Sequence, residues 1–496
     1  MSHKVTRRTL LATTGAAAAI GSFPAPAIAQ APPIKVGLLT VKVGPLAQGG
    51  IQMEQGVLTF LKETDYTMAG RKVDFISADT GGAPAGAKTK AQELVERDKV
   101  DLILGPLATF ELYAINDYIQ QQKLPTLSLA AADNLTQRQP NPYLLRASAT
   151  ASQALHPMGN YAATEMKLKR VLAIGEDLAF DYEELGGFQA AFERDGGCVV
   201  NKLWPPLVTP DYTPYVAQIG DCDGVCQGFA GSNPLRFMKA YADAGLKYPV
   251  VTGWTGGDDA LLRSFSDEAI GLVSCSAYSL DVPTERNQRF IDGMRKNFDV
   301  IPGFYAAGLY INCQVADAAL RVTGGDVSDR ERMISALRAV NLTDTPRGPL
   351  KFDHLGNVVG NFYIRRCDSE GAKYGLKLWN KTIKTYENVS QFWTWPEQEF
   401  LAHPVYSRDY PPLKKCKKNA TIAGFTARLA SPMIAADAAQ AQFKKCRPQA
   451  RPFAAAGKTG NETGKREDGK CLPSQRLAKL TAAPCWPAAS PEQRLR

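Results

Sequence analysis

The sequence predicts an α/β protein of two doubly wound parallel-sheet lobes, joined by a hinge with a cleft between them. Three observations carry this. Short apolar runs alternate with helix-spaced stretches from Ile34 onward. A second series of the same kind starts after Tyr143-Leu144-Leu145-Arg146. From Tyr278 the chain returns through helices and a hairpin, so several crossings join the lobes.

In chain order, Ile34 to Leu39 is a strand, Lys42 to Gly50 a Gly-rich loop and Ile51 to Glu63 an amphipathic helix. Arg71 to Ala78 is a strand and Ala85 to Asp98 a helix. Val100 to Leu104 reads as a buried strand, ended by Gly105-Pro106, since Pro lacks an N–H and restricts the residue before it. Thr109 is positioned to cap the next helix, whose apolar face is Leu112, Ile115 and Ile119. Leu124-Pro125 breaks that helix. Thr126 to Ala130 is the neighbouring strand, and Ala130-Ala131-Ala132 a small-residue turn.

Both turns leave the carboxyl ends of neighbouring strands, where open parallel sheets place ligands. Free N–H groups at a helix start bind anions. The stretch therefore reads either as a cleft wall that holds a carboxylate or as an ordinary buried βαβ unit.

The second series has helices at Ala154 to Glu165, Tyr182 to Arg194 and Pro234 to Ala244, with a further helix opening at Tyr215 to Ile219. Its strands are Arg170 to Ile174, Cys198 to Leu203, Gly224 to Phe229 and Pro249 to Thr252. Then come helices Glu285 to Phe298, Tyr305 to Thr323 and Arg330 to Ala339. Leu350 to Phe352 and Asn361 to Arg366 form a hairpin. The expected division is residues 30–146 and 279–353 in lobe 1, and 147–278 and 354–410 in lobe 2, with hinges near Arg146, Tyr278 and Asp353.

Both ends differ from this body. Thr6-Arg7-Arg8-Thr9-Leu10-Leu11, the apolar run Leu10 to Ile20 and Ala27-Ile28-Ala29 read in order as a twin-arginine signal peptide over residues 1–29. From Pro411 on, 17 Lys and Arg face 5 Asp and Glu, in a chain rich in Ala, Pro and Gly. Residues 411–496 read as a disordered basic tail, as a partner-binding arm, or as translation past a natural end. The net charge of +9 therefore belongs to the ends, and residues 30–410 net −6. An acidic body argues against nucleic acid as a partner.

Cys198, Cys275 and Cys313 read as small buried hydrophobes, and Cys222 and Cys226 are too far apart along a strand to bridge. No CxxC or HExxH points to zinc, no G-x-G-x-x-G to a dinucleotide, and no G-x-S-x-G with a usable His to a hydrolase. His156 and His354 read as surface or capping residues. No cofactor, metal or catalytic group is expected.

Several segments, in this order and spacing, resemble the type I periplasmic solute-binding proteins of ABC importers, the leucine/isoleucine/valine-binding kind. They are Ile34 to Leu39 with Gly44-Pro45, Asp101 to Pro106, Glu176-Asp177 with Phe180 and Gly186-Gly187-Phe188, Ala242 to Leu246, and Gly348 to Asp353. The resemblance covers about residues 33–395. It implies a monomeric, exported, periplasmic protein that is no enzyme, closes its lobes over one small carboxylate ligand and presents the closed form to a membrane permease. It places the carboxylate donor at Thr109 and a second contact at Ala130, Ala131 and Ala132. The second-lobe aromatics correspond to Phe180 and Phe229.

Two departures from that pattern bear on the ligand. The family's acidic partner for an α-ammonium falls at Thr255, and the neighbour of Thr109 is Phe110 rather than a small polar residue. Glu176 to Phe180 and Trp204-Pro205 look more like the branch that binds aromatic acids. Phe110, Phe180, Phe229, Trp254 and, more weakly, Tyr182 are candidates for stacking, with Phe229 equally suited to a core. The expected ligand is a benzoate- or hydroxycinnamate-like acid, with a branched-chain or other hydrophobic amino acid as the alternative. A ligand-sensing module is the third reading.

Overall fold

The computed structural model describes residues 31–417. Lobe 1 rests on a six-stranded sheet in the order β2-β3-β1-β4-β5-β6. Its strands are β1 (Ile34–Thr40), β2 (Thr67–Met68), β3 (Arg71–Asp79), β4 (Leu102–Leu104), β5 (Thr126–Ser128) and β6 (Leu144–Arg146). All pairings are parallel except β2 with β3. The middle strands β1, β4 and β5 are almost wholly buried because helices cover both faces of the sheet. The crossovers run through α1 (Ala47–Glu63), α2 (Pro84–Gln92) and α3 (Thr109–Gln121).

The chain then crosses into lobe 2, where β7 (Arg170–Ile174), β8 (Cys198–Leu203), β9 (Gly224–Gln227), β10 (Val250–Thr252) and β11 (Val273–Ser276) pair in parallel. Its helices are α4 (Ala151–Thr164), α5 (Ala179–Arg194), α6 (Thr213–Val216) and α7 (Asn233–Asp243). Then α8 (Glu285–Phe298), α9 (Phe304–Thr323) and α10 (Arg330–Arg338) return to lobe 1. There α1 and α9 pack so closely that a Cβ on Gly56 would sit 2.1 Å from the Ala306 carbonyl oxygen, so only glycine permits the approach.

The last strands, β12 (Asn341–Leu342), β13 (Leu350–Phe352), β14 (Val358–Asp368) and β15 (Trp379–Val389), extend the second sheet with antiparallel pairings. The final return to lobe 2 therefore comes before Asn341, not at residue 353 as the sequence suggested. A short helix, α11 (Glu397–Ala402), follows. Arg146 and Asn357 sit side by side at the crossing, and Arg146 donates to the carbonyl oxygens of Ala130 and Ala132, to Thr136 Oγ1 and to Asn357 Oδ1.

Further expectations are corrected. Cys198 is not a free buried thiol: it is disulfide-bonded to Cys416, 218 residues away. Residues 411–417 are thus tied to the surface of the body and are not part of a disordered tail. Gln189 Nε2 and Lys202 Nζ donate to the carbonyls of Pro412 and Pro411, and Lys414 pairs with Glu193 at 2.8 Å. Cys222, Cys226, Cys275 and Cys313 are free and buried, as is Cys367. His156 is buried rather than on the surface, edge-on to Trp395, Phe400 and Tyr406, and burial with Arg194 nearby pushes its imidazole down to about 3. The signal peptide over 1–29 and the tail beyond residue 417 lie outside the described residues. Among the described residues no helix is long and apolar enough to cross a membrane.

Candidate functional site

The lobes meet around a cavity with about 510 Å³ of non-atom space, solvent at its mouth included. Three helices begin at it. Thr109 and Phe110 open α3, Phe180 and Asp181 lie in the first turn of α5, and Phe304 and Tyr305 open α9; all six residues line the cavity. Leu107, Ala108, Leu129 and Ala131 complete the lobe 1 wall, and Glu176, Leu178, Leu207, Ala230, Trp254 and Thr255 the lobe 2 wall.

The first turn of each helix carries unpaired amides and a partial positive charge. At α9 the Asp258 carboxylate is already in place, accepting from Phe304 N at 2.8 Å. At α5 Asp181 turns back to accept from Glu176 N at 2.9 Å. At α3 the carboxylate of Glu111 turns inward, to Ala108 N and Thr80. Thr109 is the first helical residue rather than the cap, which is Ala108. Its side chain is 2% exposed, and Oγ1 has no hydrogen-bond partner. No backbone acceptor among the described residues takes the Thr109, Phe110 or Ala131 amides. The α3 wall is therefore a set of unsatisfied donors.

Trp254 is 1% exposed and stacks on Phe304 with centroids 4.5 Å apart and planes 13° apart. The two rings come from different lobes, so the stack closes the cavity. Ser232 N also bridges the lobes, to Pro45 O at 3.2 Å, where a Cβ on Gly231 (φ +60°) would sit 2.1 Å from that same oxygen. Farther out, Glu183 of α5 accepts from Tyr113 OH at 2.8 Å and from Asp133 N at 3.2 Å. Burial pushes the Glu183 carboxyl well up, and burial raises Asp133 to about 6.

Of the sequence candidates, Thr109, Phe110, Ala131, Phe180, Trp254 and Thr255 line the cavity together. The Thr255 hydroxyl is spent within the protein, donating to Phe229 O at 2.9 Å. Ala130 and Ala132 flank the lining residue, their carbonyls held by Arg146. Phe229 belongs to the lobe 2 core, fully buried against Tyr212 and Phe237. Tyr182 faces Trp204 and hydrogen-bonds Asp177.

Sequence reasoning missed the acids. A cleft without a counter-charge was expected, yet Glu176 and Asp181, both fully buried, line it. Glu176 Oε1 accepts from Asn233 Nδ2 at 2.7 Å and from Ala230 N at 3.3 Å. Burial raises both carboxyls, and Glu176 Oε2 and Asp181 Oδ2 are buried without a hydrogen-bond partner. Asp258 and Asp259, the nearby acids in sequence, point elsewhere, Asp259 into a buried ion pair with Arg365 at 2.8 Å. Among the described residues no group of His, Cys, Asp and Glu is arranged to hold a metal ion.

A family model described as periplasmic binding protein matches residues 33–372. The Leu/Ile/Val-binding protein homolog 6 of Brucella suis is 28% identical over 372 residues, covering 72% of this chain and 93% of its own. A solute binding protein of an ABC transporter from Rhodopseudomonas palustris BisB5, solved with 3,4-dihydroxy benzoic acid, is 30% identical with a TM-score of 0.68 over 72% of this chain and 98% of its own. Another from R. palustris, solved with 4-hydroxybenzoate, is 28% identical with a TM-score of 0.67 over 73% and 99%. A leucine binding protein from Thermotoga maritima, 17% identical, shares the fold with a TM-score of 0.64 over 71% and 99%. With more than half of its length matched, this chain belongs to the periplasmic binding protein family, whose relatives here are substrate-binding proteins of ABC transporters.

Proposed function

We propose that this protein binds an aromatic carboxylic acid, benzoate- or hydroxycinnamate-like, between its lobes and delivers it to an ABC permease. The observation that carries the reading is the α3 wall. Thr109 Oγ1 and the amides of Thr109, Phe110 and Ala131 are donors without acceptors, whereas the helix start at α9 already holds a carboxylate. A ligand carboxylate at α3 satisfies those donors. A planar ring then meets the aromatic surfaces of Phe110, Phe180, Trp254 and Phe304, each stacked pair adding about 1 kcal/mol beyond burial. Relatives solved with hydroxybenzoates support the choice. Protein of this kind works as an exported, periplasmic monomer and does not turn its ligand over.

A second reading, a branched-chain or other hydrophobic amino acid, is favoured by one observation. Glu176 and Asp181 line the cavity and offer an ammonium a counter-charge. The Brucella relative's name points the same way. A thermal-shift panel of aromatic acids, aliphatic acids and the twenty amino acids, followed by calorimetry on each hit, separates the two. Stabilisation by benzoates or cinnamates with no turnover is expected. Stabilisation by leucine or phenylalanine and by no aromatic acid would overturn the ligand assignment and leave the family assignment standing.

A further inference from the structure

We propose that the Glu176–Asp181 pair is the cavity's distal acceptor and selects aromatic acids that carry a hydroxyl on the ring end remote from the carboxylate. The proposal rests on the aromatic-acid reading and goes one step past it. The two lobes present opposite chemistry to the cavity. Lobe 1 offers the unsatisfied donors at the start of α3, and lobe 2 offers the two carboxyl groups that line it.

The pair is built, not incidental. Both side chains are fully buried. Glu176 Oε1 is fixed by Asn233 and Ala230, and Asp181 Oδ1 by the Glu176 amide. Asn233 is held in turn, its Nδ2 also donating to Leu207 O at 2.9 Å. That leaves Glu176 Oε2 and Asp181 Oδ2 buried without a hydrogen-bond partner. Each keeps its lone pairs free to accept a hydrogen bond, whether its carboxyl is ionised or not. Asp181 lies in the first turn of α5, where the helix dipole favours an acceptor. Trp254 Nε1, on the same lobe 2 wall, is a further buried polar atom without a partner.

An acceptor of this kind discriminates in a defined way. A hydroxyl donates to it and is gained. A methoxy group has no proton to give, and its unpaired burial loses what the hydroxyl gained. A second carboxylate brings acceptors to a wall of acceptors and is rejected.

The test is calorimetry on the full chain with matched ligands: benzoate against 4-hydroxybenzoate, cinnamate against 4-hydroxycinnamate, then 4-methoxybenzoate and benzene-1,4-dicarboxylate. The wild-type protein should bind the hydroxylated member of at least one pair about tenfold or more tighter, lose that gain with methoxy and exclude the dicarboxylate. In Asp181→Asn and Glu176→Gln, each checked for folding by circular dichroism, the preference should fall below about threefold. Equal binding of both members in both pairs by the wild type overturns the proposal alone, because the aromatic-acid reading then still stands. A preference that persists in both folded variants does the same. Binding of none of these acids overturns the aromatic-acid reading and this proposal with it.

Discussion

Replacing Thr109 by Val separates binding from folding, because the two effects have opposite signs. Valine matches threonine in shape and branching, so the first turn of α3 keeps its packing. The hydroxyl it removes is 2% exposed and bonds to nothing in the protein. Leaving a hydroxyl buried and unpaired costs about 1–3 kcal/mol, so the ligand-free variant should unfold at the same or a slightly higher urea concentration. In the complex the same hydroxyl donates to a carboxylate, and a hydrogen bond to a charged group contributes about 1.5–3 kcal/mol. Affinity for the cognate acid should therefore drop about 10- to 150-fold. Urea melts without ligand and calorimetry with it give the two readings. An unchanged dissociation constant refutes the placement of the carboxylate at α3. A ligand-free variant destabilised by more than about 1 kcal/mol means that the hydroxyl is bonded within the fold, and the donor argument fails.

Other consequences are measurable on the same protein. Small-angle scattering should show a smaller radius of gyration at saturating ligand as the lobes close, and an identical profile would count against hinge motion. A chain ending at Tyr410 loses the Cys198–Cys416 disulfide and the Lys414–Glu193 pair. Removing a cross-link across so long a loop costs up to about 5 kcal/mol, so its urea midpoint should fall clearly below that of the full chain; equal midpoints would show that residues 411–417 contribute nothing. Burial, with Asp259 beside it, pushes the Asp258 carboxyl up to about 7. Its folded value lies above its unfolded one, so the stability it confers is complete below about pH 4 and is lost as pH rises through about 7. Melting temperature should fall between about pH 4 and 7, and Asp258→Asn, which still accepts from Phe304 N, should flatten that slope. A melting temperature that rises across this window would sink the assignment.

Much of the fold was legible because the α/β alternation is written in local patterns. The bounds of β7, β8 and α8 follow directly from apolar runs and helical spacing. What was not legible lacks a local signal. The strand β15 packs one face only, so its eleven residues include the polar and exposed Lys381, Thr385 and Glu387, and no apolar run marks it. The sequence placed the start of α5 at Tyr182, three residues late, because Leu178 at its N-cap makes no capping bond. The Cys198–Cys416 bond joins residues far apart in sequence, and no spacing rule reaches that far.

That late start hid the polarity of the site. Read as a loop, Gly175 to Asp181 holds Glu176 and Asp181 as two solvated acids. Once α5 begins at Ala179, Asp181 falls in its first turn, its carboxyl reaches back to the Glu176 amide, and both acids turn into the cavity. The donor wall could be read from sequence because a hydroxyl residue at a strand–turn–helix junction is a local feature. The acceptor wall exists only where a helix start, a strand end and Asn233 of α7 converge. This changes what the substitution at Thr255 means. Its hydroxyl serves the Phe229 carbonyl, so position 255 no longer decides the charge of the cleft. The acceptors are supplied by an acid pair on the lobe opposite α3. A ligand that is an acceptor at one end and a donor at the other satisfies both walls only when the lobes are closed, and it thereby favours closure.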